Sequence, residues 1–220
     1  MDTHIPPLLE DPVQRLLAHL EANRPRCIIG LVGIPGSGKS TMALCLAEQV
    51  NARSANSSML ALSMDGFHLS KAELRQFPDP EQAFARRGAP WTFDASAFAK
   101  HVRAIRDAAG HAALSWPAFE HAAGDPVQHA YSVPATIGLV LIEGLYLLHS
   151  EHGWEEVAQL FDQVWFLDTP LEVSMERLAL RHMQAWGFTR AEAEQRIANN
   201  DILNAEIVLK TRVRADWRIV

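Results

Sequence analysis

Cysteine is almost missing from this chain: Cys27 and Cys45 are the only two, both in apolar surroundings and without metal-ligand spacing. That excludes a disulfide scaffold and a cysteine zinc site, and leaves two reduced thiols as the expectation. No apolar run approaches the ~20 residues needed to span a bilayer, and the opening MDTHIPPLLEDP lacks the character of a signal peptide. A cytoplasmic protein without a membrane partner is therefore expected. An excess of positive charge is missing too. With 20 basic against 26 acidic residues the formal net charge is −6, which argues against a nucleic-acid partner. Lysine itself is scarce, at Lys39, Lys71, Lys100 and Lys210; the other sixteen basic residues are arginines. No repeat, low-complexity tract or linker divides the 220 residues, so one domain is expected over 1–220, with 1–25 as a helical extension.

Apolar strand-like runs alternate with amphipathic stretches, the pattern of a parallel α/β sheet. The runs are Cys27–Val32, Met59–Met64, Ala112–Ser115, Ile137–Ile142, Val164–Leu167 and a short last one at Trp217–Val220. Helical patterns cover Val13–Glu21, Lys39–Val50, Ala95–Ala108, Trp154–Leu160, Leu171–Trp186, Arg190–Asn199 and Ile202–Lys210. Phe77–Phe93, rich in Pro, Gly and Arg, reads as an irregular loop around a short helix. The runs end on telling residues: Gly33, Asp65, Trp116-Pro117, Glu143 and Asp168. Open α/β sheets bind ligands at these carboxyl ends.

Gly33-Ile34-Pro35-Gly36-Ser37-Gly38-Lys39-Ser40 matches G-x-x-x-x-G-K-[ST] between a strand and a helix, with Thr41 following. Its glycines permit close backbone approach, and the amides and helix N-terminus then face nucleotide phosphates. Lys39 is expected at the β- and γ-phosphates and the Ser40 hydroxyl at Mg²⁺. None of the four lysines begins a K-x-D stretch, so the guanine signature of a GTPase switch is absent. ATP is the expected nucleotide.

A phosphotransferase needs a base near the γ-phosphate. Asp65 ends the second strand-like run and can serve, with Gly66 giving room and Phe67 and His68 lining the acceptor; a helix cap or turn residue is the alternative. Glu143, after Leu139–Ile142, is a candidate metal ligand or a carboxylate satisfied by backbone. Asp168, before Thr169-Pro170, is expected to cap a helix. Arg177 and Arg181 lie four apart with no acid three or four residues away. They suit a polyphosphate, or a solvated face. His149 and His152 are three apart with no third ligand evident nearby, so no zinc site is expected there.

Together GIPGSGKST (33–41), MDGFHLS (64–70), RRGAPWTFD (86–94), PAFEHAAGDPV (117–127), LIEGLYLL (141–148) and RIANNDILNA (196–205) resemble the P-loop kinases of the uridine kinase, phosphoribulokinase and pantothenate kinase superfamily. The resemblance runs from Cys27 to the C-terminus and is greatest to a bacterial nucleoside/nucleotide kinase-like group, also labelled fructose transport system kinases. It implies a three-layer α/β/α sandwich with a doubly wound, mainly parallel sheet and a helical lid over about 171–200. It implies ATP-Mg²⁺ as donor and a hydroxyl of a small metabolite as acceptor: a sugar, sugar acid, nucleoside or pantothenate-like molecule. It implies Asp65 as catalytic base, Glu143 beside Ser40 at the metal, and Arg177 and Arg181 on the lid. Arg86, Arg87, Phe119, Glu120, His121 and Asp125 become acceptor-pocket candidates, each with a loop-structural alternative. Uridine kinases carry Pro-x-Tyr-Asp and a later histidine where this chain has Pro117-Ala118-Phe119-Glu120 and Gly124. The lost phenol and imidazole remove hydrogen bonds a nucleoside would use, which argues against uridine. A homodimer is left open. The alternative function is a partner-regulated ATPase on a kinase-like fold with no metabolite acceptor.

Overall fold

The computed structural model describes residues 7–22, 26–54, 58–120 and 122–220, with side chains from residue 9 onward. In chain order the strands are β1 (Cys27–Val32), β2 (Met59–Ser63), β3 (Leu114–Glu120), β4 (Asp125–Val133), β5 (Leu139–Gly144), β6 (Gln163–Leu167) and β7 (Trp217–Ile219). The helices are α1 (Pro7–Glu21), α2 (Lys39–Arg53), α3 (Lys71–Leu74), α4 (Pro80–Ala85), α5 (Ala95–Asp107), α6 (Leu171–Trp186), α7 (Arg190–Arg196) and α8 (Ile202–Thr211). A π-helical turn, Ile197–Asp201, joins α7 to α8.

Five strands form one sheet in the order β2-β5-β1-β6-β7, every pairing parallel. Parallel strands covered on both faces need apolar residues at consecutive positions rather than alternate ones. β1 meets that demand with six buried residues, CIIGLV, and β5 does so with LVLIEG. Ile28, Val32, Val140 and Ile142 enter a core with Phe98, Trp154 and Phe166 on one face. Ile29, Leu31, Leu139 and Leu141 join Val13, Leu16 and Leu46 of α1 and α2 on the other. β1 lies between β5 and β6, so the loop after it opens where the connections diverge to either side, the ligand position of doubly wound sheets.

The third expected strand is not part of this sheet. β3 pairs antiparallel with β4 in a separate hairpin, and β4 was not anticipated at all. Pro117, which cannot donate to a ladder, marks the register shift between Trp116 and Ala118. β4 is exposed along six successive residues, so it carries no apolar run to read. Trp116 anchors the hairpin: its ring is fully buried and its Nε1 donates to the Ser63 carbonyl at the end of β2 (2.8 Å). The expected helix at Trp154–Leu160 is only a 3-10 turn, Val157–Leu160.

Arg26 holds the far end of the sheet. It is 3% exposed and donates to four carbonyls, those of Ile105, Pro134, Ala135 and Ile137, at 2.6–3.0 Å. Among the described residues no helix is long and apolar enough to cross a membrane.

Candidate active site

Gly33 to Lys39 turn tightly between β1 and α2, with Ser37 N–H donating to the Ile34 carbonyl (3.0 Å). Gly36 and Gly38 adopt φ of 77° and 92°, a region that costs other residues strain. At Gly36 the demand is double, since a Cβ would lie 2.3 Å from the Ser174 carbonyl oxygen of α6. Helix α6 therefore rests its first turns against the loop. Two donors fix the loop from that side: Thr169 Oγ1 at 2.9 Å and Arg177 Nη1 at 3.2 Å both reach the Ser37 carbonyl. A cleft bounded by Gly36, Gly38–Thr41, Arg177, Leu178 and Arg181 opens above. Both arginines expected at the phosphates thus flank it.

Glu143 ends β5 directly beside Ser63 of β2 and Leu31 of β1. Its Oε1 accepts from Ser40 Oγ (2.9 Å), while Oε2 lies 3.9 Å from Lys39 Nζ. The residue is 4% exposed, and burial pushes its carboxyl above the ordinary carboxylate range. The Lys39 ammonium opposes that rise, and the charge of Asp65 adds to it. Oε2 is buried with no hydrogen-bond partner. A buried carboxylate oxygen without a donor, next to a hydroxyl, is the hard-oxygen arrangement a Mg²⁺ ion takes. The residues present fit the metal.

Asp65 sits in a 3-10 turn, Met64–Phe67, just beyond β2, its N–H donating to Ser63 Oγ (3.1 Å). It caps no helix. The next helix, α3, is capped by Ser70, in a reciprocal box with Glu73. Gly66 does not leave room for a substrate as expected, because backbone occupies that space: a Cβ there would lie 2.3 Å from the Pro117 carbonyl oxygen of the hairpin. Phe67 is likewise no pocket wall. It is 4% exposed and meets Phe98, His101 and Trp116 edge-on at 4.9–5.2 Å, supporting the turn from the core. His68 lies between Phe93 (4.0 Å) and the pocket candidate Phe119 (4.5 Å), tilted 39° and 40° to their rings, with Nδ1 2.8 Å from the Asp65 carbonyl oxygen.

The other pocket candidates divide. Arg87 and Asp125 are committed to structure: Arg87 donates to the carbonyls of Leu69 and Gly124 and pairs with Asp125 (3.3 Å), whose Oδ1 also accepts from Lys71 N–H. Glu120 is exposed at the hairpin tip, and His121 lies outside the described residues. Arg86 is held by Asn204 of α8, whose Oδ1 accepts from Nη2 (3.0 Å). Asn200, in the π-turn, donates to the Arg87 carbonyl (3.0 Å), and Tyr146 OH donates to that of Gly88 (2.5 Å). Burial drives the Tyr146 phenol far above its usual range; Arg86 opposes this, and Asp65 and Asp201 add to it. Those four side chains therefore share one electrostatic neighbourhood. Tyr146, Asn200, Asp201 and Asn204 were missed among single residues, although LIEGLYLL and RIANNDILNA contain them. Asp168 was expected to cap α6. It pairs instead with Arg212 (3.2 Å) and Arg218 (3.6 Å), while Pro170 opens the helix.

The phosphoribulokinase / uridine kinase family model matches residues 28–207, which include every element of this site from the phosphate loop to Asn204. The chain belongs to that family. A Schizosaccharomyces pombe protein named "Putative uridine kinase C227.14" is 37% identical to this family member over 207 residues, 94% of the chain and 88% of that protein. The Escherichia coli "Uncharacterized protein YggC" is 32% identical over 207 residues, 93% and 83% of the two chains. Among solved structures, a "putative fructose transport system kinase" from Silicibacter sp. TM1040 superposes with a TM-score of 0.85 at 30% identity, covering 96% of this chain and 98% of that one. The parallel α/β sheet expected from the strand-helix alternation, and the P-loop kinase sandwich that the resemblance implies, are what is found.

Proposed function

We propose that this family member is an ATP- and Mg²⁺-dependent kinase that transfers the γ-phosphoryl group to a hydroxyl of a small metabolite. The observation that carries it is the convergence of two carboxylates of different character beside one phosphate loop. Glu143 is buried against Ser40 and Lys39, while Asp65, whose charge acts on it, sits on a turn packed against the hairpin. Relatives named ATP-dependent kinases support ATP as donor.

The loop amides and Lys39 bind the β- and γ-phosphates. Ser40 and Glu143 would hold Mg²⁺, which when bound neutralises charge on the phosphate oxygens. Asp65 accepts the proton of the acceptor hydroxyl as its oxygen bonds to the γ-phosphorus; the bond to the bridging oxygen breaks and ADP leaves with that electron pair. Arg177 and Arg181, on a lid formed by α6 and α7, stabilise the charge on the transferred group. His68, Arg86, Phe119 and Tyr146 surround the acceptor, and Arg87, Asp125 and Asn204 position that wall.

The test is ADP release with ATP-Mg²⁺ against a panel of sugars, glycerate, nucleosides, pantothenate and vitamins. Saturable turnover with one acceptor is expected. Slow hydrolysis indifferent to every acceptor, but stimulated by a protein partner, would favour the regulated ATPase instead.

A further inference from the structure

The segment after β5 runs from Leu145 and Tyr146 into a turn that carries His149, Glu151 and His152. These three form the one cluster among the described residues able to hold a metal through histidine, cysteine or carboxylate donors. One donor atom from each lies within 4.8 Å of the other two. Glu151 is the third ligand whose apparent lack had argued against a zinc site here.

His149 supplies an independent sign. It is only 9% exposed, and its Nε2 is buried with no hydrogen-bond partner. A buried imidazole nitrogen without a partner is costly, and coordination would satisfy it. His152 lies at φ 59°, a conformation uncommon for a residue with a Cβ. In it the ring stacks on His149 at 5.9 Å and 19°, and Nε2 stands 3.9 Å from Glu151 Oε2. The turn thus holds the two rings and the carboxylate together.

We infer that His149, Glu151 and His152 form a transition-metal site, with Zn²⁺ the ion best matched, remote in chemistry from the oxygen-lined Mg²⁺ position. Two imidazoles and one carboxylate are a three-ligand zinc set that leaves a fourth position for water. Tetrahedral zinc with bonds near 2.0–2.1 Å needs donors roughly 3.3 Å apart. Glu151 and His152 are exposed and can close that gap by side-chain rotation about the fixed His149. The site also bears on the acceptor wall: the His149 N–H donates to the Tyr146 carbonyl (2.9 Å), and the two rings are 5.8 Å apart. An ion here would stiffen the segment that seats Tyr146 against Gly88.

Co²⁺ titration of untagged, metal-free protein, read by ligand-field absorption in saturating Mg²⁺, tests this. One equivalent is expected, with the intensity of a four-coordinate site and displaced by Zn²⁺. His152→Ala and Glu151→Gln, both at exposed positions, should each weaken it by roughly tenfold or more. Zn²⁺ should raise the melting temperature of the wild type and not that of His152→Ala. Absence of saturable binding, or binding that survives both substitutions, would overturn the assignment. Neither readout depends on catalysis, so this site and the proposed kinase activity stand or fall separately.

Discussion

Ser40 and Glu143 are 103 residues apart in sequence, yet the Ser40 hydroxyl donates to Glu143 Oε1 at 2.9 Å. The contact joins the first turn of α2 to the end of β5, across the boundary between β1 and its neighbour. Its partner oxygen, Oε2, has the Lys39 ammonium 3.9 Å away and no hydrogen bond. This pair sets the metal-binding corner of the site, and its chemistry yields the first prediction.

Because burial raises the Glu143 pKa, the residue takes up a proton at higher pH than an ordinary carboxylate does. Metal binding requires the ionised form. Apparent Mg²⁺ affinity should therefore fall on acidification, and do so above the usual carboxylate range. Measuring Mg²⁺ activation constants between neutral and mildly acidic pH checks this. In Glu143→Gln the pH dependence should vanish along with most of the activity.

Gly66→Ala should be strongly destabilising although no positive φ is involved. The added methyl would meet the Pro117 carbonyl oxygen at 2.3 Å, so the hairpin or the Asp65 turn has to move. A loss of roughly 2 kcal/mol or more in urea unfolding is expected, typical of overpacking against backbone.

Asn204→Ala removes the acceptor for Arg86 Nη2 and leaves the phosphate loop untouched. The acceptor KM should rise about tenfold or more, with ATP affinity unchanged, since one charge-assisted hydrogen bond is worth roughly 1.5–3 kcal/mol. Steady-state kinetics with each substrate varied in turn separates the two effects.

Arg26→Ala should lower stability by about 3 kcal/mol, because four carbonyls, those of Ile105 and Ile137 in buried contacts, lose their donors at once. Equilibrium denaturation measures it, and catalytic constants at low temperature should be little changed.

These residues also mark what could and could not be read from the chain. The phosphate loop, Glu143 and the bounds of β1 and α6 follow from local rules: a spaced glycine motif, an acid ending an apolar run, and helical periodicity closed by Gly187. The Asp65 turn was recognisable as the end of a strand. Its surroundings were not, since Gly66 and Phe67 are explained by Pro117 and Trp116, some fifty positions away. β4 escaped notice because an exposed strand on a hairpin needs no apolar run. Arg26 and Asn200 bind backbone carbonyls, and Asn204 holds the Arg86 side chain, through long-range contacts that no spacing rule encodes. Asp168 had the flanks of a helix cap, but its partners, Arg212 and Arg218, come from the end of the chain.

The measurement closest to the central claim compares Asp65→Asn with the wild type. It pairs single-turnover phosphoryl transfer to the acceptor found in the panel with nucleotide binding by titration. The account predicts a loss of transfer of 10²-fold or more, as expected for a missing general base, with ATP affinity within a few-fold of the wild type. Transfer at an undiminished rate in Asp65→Asn would contradict the assignment of Asp65 as the base.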